Sequence, residues 1–93
     1  MIKVIIEREI DSGMETTYED AIKNTLRAIL EAPGYTSGAT YKDAENPNRR
    51  FIITNWQSLE DWQIWARSQQ RSDVVAAVRA TLRQPEKVTI LTA

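Results

Sequence analysis

The chain has 93 residues, with 12 Lys and Arg against 13 Asp and Glu, for a formal net charge of −1. It contains neither cysteine nor histidine. Disulfides, thiolate chemistry and the commonest general base and transition-metal ligand are therefore absent. Zinc hydrolysis and serine–histidine catalysis are excluded with them, and the interspersed charges create no long-range field toward nucleic acid or an acidic membrane.

Residues 2–10, IKVIIEREI, are rich in β-branched side chains, with Ile6, Arg8 and Ile10 alternating against Glu7 and Glu9. This predicts a strand, ended by Asp11-Ser12-Gly13. Charge within the first three residues argues against a secretory leader, and no run approaches the roughly 18 apolar residues of a membrane span. A soluble, cytoplasmic protein is expected. Thr17, three residues before Asp20, predicts a capped helix start. Ala21, Ile22, Leu26, Ile29 and Leu30 then recur at helical spacing, and Ala32-Pro33-Gly34 stops the helix.

Residues 35–43, YTSGATYKD, alternate weakly around Gly38, predicting a strand with a bulge or a close backbone approach. ENPN at 45–48 is turn chemistry. Arg49-Arg50, read as a solvated pair, opens the next strand, RRFIITNW at 49–56. There Phe51, Ile53 and Asn55 share one face and Ile52, Thr54 and Trp56 the other, so burial on both sides is expected. Ser58 with Asp61 predicts a helix over 59–70, and Ser72-Asp73 a second cap, with a kink before VVAAVRATLR. Pro85 closes that region, and KVTILT at 87–92 is a final strand.

The order β-α-β-β-α-β predicts an α+β, ferredoxin-like fold: a four-stranded antiparallel sheet with two helices on one face. Apolar residues on both faces of 51–56 and 88–91 call for a cover on the open sheet face, most economically a second copy.

Trp56, Ser58, Trp62, Trp65 and Ser68 spell W-x-S-x-x-x-W-x-x-W-x-x-S. This run resembles the strand-to-helix segment of the antibiotic biosynthesis monooxygenase family. PGYTSGATYKD and PEKVTILTA resemble its helix-to-strand segment and closing strand. The resemblance covers nearly the whole chain and implies one domain over 1–93 and a homodimeric α+β barrel. The family's haem-degrading branch resembles W-x-S-x-x-x-F-x-x-W-x-x-S, with a ligating histidine ten residues beyond the second tryptophan. That position is Val75 here, and the branch's first-strand asparagine falls on Glu7, so the resemblance disfavours haem degradation.

The quinol- and polyketide-oxidising members use no metal or flavin. The resemblance thus implies a cofactor-free monooxygenase that oxidises a small aromatic, quinol or polyketide-like molecule in an apolar pocket between sheet and helices. Such a site must exclude water, hold a ring and stabilise a phenolate or enolate. The candidate catalytic residues are Trp65, which matches the family's functional tryptophan, with Asn55, Arg8 and Glu7 to steady an anion or move a proton. Trp62, Tyr35 and Tyr41 are candidates for substrate binding. Packing is the competing reading for each tryptophan, and for Trp56 the preferred one. Arg8 and Glu7 point to opposite sheet faces, so at most one reaches a helix-side pocket, and either would serve an interface ion pair. The alternative function is a non-catalytic member that binds a small hydrophobic ligand or only assembles. No cofactor, nucleic acid or membrane partner is expected.

Overall fold

The computed structural model describes residues 1–93 and follows the predicted order, with the second helical region divided in two. The elements are β1 (Ile2–Glu9), α1 (Glu15–Ile29), β2 (Tyr35–Lys42), β3 (Arg49–Trp56), α2 (Leu59–Ala66), α3 (Gln69–Arg79) and β4 (Lys87–Thr92). The strands form one antiparallel sheet in the order β2-β3-β1-β4. That is the ferredoxin-like arrangement, in which each helical crossover packs back on the same sheet face. No helix is long and apolar enough to cross a membrane.

Alternation along the strands decides what the helices cover. Pairing of Ile6 with both Ile52 and Val88 aligns Ile2, Val4, Ile6 and Arg8 with Ile52, Thr54 and Trp56 on the helix side. Val4 and Trp56 are fully buried there. The Trp56 indole N–H donates to the Thr54 hydroxyl at 2.9 Å, so its one polar group is satisfied inside the core. Tyr35 and Trp62 meet its ring edge-on at 5.5 and 5.6 Å. Such contacts are worth about 0.5–1.5 kcal/mol each beyond area burial. The opposite face carries Ile5, Phe51 and Ile53, only half-buried, and an exposed Leu91. The two-sided burial expected of β3 is therefore one-sided within a single chain.

Two helix starts differ from expectation. Thr17 lies inside α1, which begins at Glu15 without a side-chain cap. The Glu15 carboxylate instead accepts from the Gly13 N–H at 3.3 Å and from Asn48 Nδ2 at 3.0 Å, tying the helix start to the β2–β3 loop. The break in the second helical region falls at Ser68, not at Ser72-Asp73. Ser68 is extended, its hydroxyl donates to the Trp65 carbonyl at 2.7 Å, and its oxygen accepts from the Arg71 N–H at 3.1 Å. One side chain thus ends α2 and caps α3. Ser58 caps α2 as expected, accepting from the Asp61 N–H at 3.1 Å.

Candidate functional site: an arginine-walled aromatic cavity

Between the helix-side sheet face and the helices lies a cavity of about 310 Å³. Its sheet side is made by Ile6, Ile52 and Thr54, its α1 side by Ile22, Leu26 and Ile29, and its α2 side by Trp62 and Trp65. That volume is at the lower end of small-molecule sites, room for one or two fused rings. Arg8 of β1 and Arg71 of α3 also line it.

Both arginines are buried, with side chains 1% and 8% exposed, and both are held by Glu86. Arg8 Nε donates to Glu86 Oε2 at 2.8 Å and Arg71 Nη2 to Oε1 at 3.0 Å. Arg8 Nη1 reaches the Tyr18 hydroxyl at 3.5 Å, and the Arg71 guanidinium sits 5.7 Å from the centre of the Trp62 ring. Burial pushes the Glu86 carboxyl up, but the Arg8 charge and the hydrogen bonds from Arg71 and Arg8 outweigh it. Its pKa is held below the usual 4.5. Two guanidinium groups share one carboxylate, so the cluster carries a net charge of about +1 against a wall that is otherwise mostly apolar.

Of the residues predicted from sequence, the cavity gathers Arg8, Tyr35, Trp62 and Trp65. Burial raises the Tyr35 phenol above its ordinary 10.0, so it stays protonated and is a donor. Gly38 makes this placement possible, since a Cβ there would stand 2.6 Å from the Tyr35 hydroxyl. Glu7, Asn55 and Tyr41 lie outside the cavity. Odd positions of β1 and β3 face away from the helices, so Glu7 pairs instead with Arg49 at 3.0 Å, and Asn55 donates to the Ser37 hydroxyl at 3.1 Å. Tyr41, paired with Phe51, is exposed. Of Arg8 and Glu7, Arg8 is the one that reaches the helix side.

Sequence reading missed Arg71 and Glu86. Arg71 had a signal: it stands at i, i+4 and i+7 with Val75 and Val78 on the buried stripe of α3. A charge at an apolar position of a helix marks a partner or a site. Glu86, one residue past Pro85 in a loop, carried none.

Residues 1–80 match the family described as antibiotic biosynthesis monooxygenase. The chain belongs to that family. It is 23% identical over 82 residues to Protein SchA of Streptomyces halstedii, covering 88% of this chain and 22% of that protein. It is 26% identical over 58 residues to a mycobilin-producing heme oxygenase of Mycobacterium tuberculosis, covering 62% of this chain and 55% of that protein. The chain thus spans roughly a fifth and half of these relatives. Among solved structures, an antibiotic biosynthesis monooxygenase superimposes with a TM-score of 0.89 at 18% identity, over 100% of this chain and 98% of the other. SnoaB of Streptomyces nogalater, a cofactor-independent oxygenase, superimposes with a TM-score of 0.84 at 15% identity, over 99% and 92%. These likenesses establish the monooxygenase-family fold.

Haem, suggested by one relative, does not suit this cavity. Its lining has no His, Cys or Met, and its one phenol is the protonated Tyr35, whereas haem iron takes its protein ligands from those residue types. Val75 is fully buried in α3 and lies outside the lining.

Proposed function

We propose that this family member is a cofactor-independent monooxygenase. Its cavity takes a one- or two-ring aromatic compound bearing an acidic phenol or enol, binds it as the anion, and presents it to dioxygen. The observation that carries this reading is the net-positive Arg8–Glu86–Arg71 cluster against an apolar, tryptophan-walled space. In such surroundings a fixed positive charge favours the ionised form of a bound acid and lowers its pKa. The lining holds no carboxylate, so no side chain is assigned as base. The arginines act on the equilibrium, and the proton leaves to water. Trp62 and Trp65 hold the ring, and the Tyr35 hydroxyl offers a neutral hydrogen bond.

The electron-rich anion then gives one electron to dioxygen, and the resulting radical pair combines at a ring carbon bearing hydrogen. The peroxide collapses to a carbonyl, with the second oxygen leaving as water. Homodimerisation belongs to the same reading, supported by Ile5, Phe51, Ile53 and Leu91 on the uncovered face.

Oxygen uptake with a panel of one- and two-ring quinols, without added metal or flavin, tests the proposal. The expected result is saturable uptake that falls roughly 10²-fold or more in Arg8→Gln, the usual loss when an anion-stabilising donor is removed. Binding of the same compounds with no uptake across the panel would refute catalysis. It would favour the second reading, a non-catalytic receptor for aromatic anions, which the absence of a base in the lining also suits.

A further inference from the structure

Trp62 and Arg71 also line a second space, an open cleft of about 760 Å³. Its chemistry differs from that of the cavity. Arg79 and Arg83 join Arg71 there, against Glu86 as the single carboxylate. That carboxylate is already engaged by Arg8 and Arg71. Arg79 makes no ion pair, and Arg83 reaches Glu9 only at 3.5 Å. The cleft therefore carries positive charge on solvent-accessible groups, unpaired at Arg79 and loosely paired at Arg83, beside an apolar floor that includes Leu82 and Val88. Val88 is 41% exposed although it points to the helix side of the sheet. The three helices leave that part of β4 open.

We infer that this cleft is a second binding site, for an amphiphilic carboxylate. The hydrocarbon body rests on Leu82 and Val88 beside the buried Trp62, and the head group is held by Arg79 and Arg83. Two guanidinium forks match the two oxygens of a carboxylate better than ammonium groups would. The apolar floor gives the body a reason to leave water, which a bare inorganic anion lacks.

Octanoate, at constant ionic strength and below its micelle threshold, is the probe, followed by ¹H–¹⁵N NMR on the full chain. Saturable shifts are expected at the Arg79 and Arg83 Nε–H groups and at the amides of residues 82–84 and 86–88, with those of Thr25 and Thr40 in the inner cavity unmoved. The double variant Arg79→Gln/Arg83→Gln should bind at least ~10-fold more weakly, about 1.4 kcal/mol. The Arg79→Lys/Arg83→Lys protein should recover only part of the affinity. Both positions are exposed, so folding is not at risk, and wild-type-like amide shifts elsewhere verify it. The inference would be overturned by shifts that stay linear with octanoate, by shifts centred on Thr25 and Thr40, or by undiminished binding by the Gln variant. Inorganic phosphate that binds as tightly as octanoate would also overturn it, by showing that charge alone is recognised.

Discussion

Replacing Glu86 with Gln removes one charge from the cluster and nearly preserves its shape. The carboxylate is 10% exposed and lies 2.8 Å from Arg8 Nε and 3.0 Å from Arg71 Nη2. An unlike pair at such range attracts by roughly 4 kcal/mol in partly screened surroundings, before desolvation is subtracted. Removing one partner of a buried pair typically costs about 3–5 kcal/mol, because the other charge is left uncompensated. Gln retains one acceptor, so the expected loss is near the lower figure, about 3 kcal/mol at neutral pH. The pH dependence follows from the depressed pKa of Glu86. A carboxylate whose folded pKa lies below its unfolded value stabilises the fold above the unfolded pKa, and that contribution is lost as pH falls through the folded value. Urea unfolding across pH should therefore show a full gap between wild type and Glu86→Gln at about pH 6–7, closing below about pH 4. A gap under ~1 kcal/mol at neutral pH would show that the triad is not the coupled unit described. A gap that persists unchanged into acid would show that it does not depend on the Glu86 charge.

Trp62→Phe and Trp65→Phe should part company. Trp62 meets both the Trp56 ring and the Arg71 guanidinium, so its loss should cost ~1–3 kcal/mol in unfolding experiments, whereas Trp65 has neither contact and should cost less. An aromatic ligand should quench wild-type fluorescence and quench Trp65→Phe less, because Trp62 alone then reports from the cavity wall. Undiminished quenching with core-like destabilisation would place the ligand elsewhere. Hemin titration should give weak, heterogeneous binding, and a sharp six-coordinate Soret band at one equivalent would contradict the cavity chemistry. The uncovered sheet face predicts a dimer whose thermal midpoint rises with protein concentration, and a well-folded monomer by sedimentation at micromolar concentration would refute it.

Most of the fold was legible because it rests on local rules. The strands at 49–56 and 87–92 were bounded by turn residues and a proline, and appear with those bounds. The tryptophan–serine run resembles a family pattern, and its residues prove to be largely structural. Ser58 and Ser68 are helix caps, and Trp56 fills the core. The α1 start was misplaced because its stabilising partner, Asn48, is 33 residues away. The site was half legible for a similar reason. Tryptophans and tyrosines could be assigned by type, but Glu86 gains its role only from two arginines that are 78 and 15 residues distant. Period-two alternation separated Glu7 from Arg8 and could not say which of the two would face the helices.

A buried Arg–Glu–Arg cluster is a poor device for stability alone. Apolar side chains of similar volume often do as well or better, because three charges must be taken out of water to make it. Its position gives it another use. Glu86 holds both guanidinium groups in place from behind while leaving them at the wall of the cavity, so a bound anion meets donors already oriented and partly desolvated. Preorganisation of this kind matters most in a protein without histidine, where no side chain in the cavity can take a proton near neutral pH. With Glu86 ionised the cluster offers one net positive charge. An unneutralised pair of arginines would bind anions more tightly but would be harder to bury. The carboxylate thus sets a compromise between folding and anion affinity, and Glu86→Gln should shift it in a defined direction. The variant should be less stable, and where folded it should bind an aromatic carboxylate such as 1-naphthoate more tightly than wild type does. Weaker binding by the folded variant would mean that Glu86 serves mainly to position the arginines, and that geometry outweighs net charge at this site.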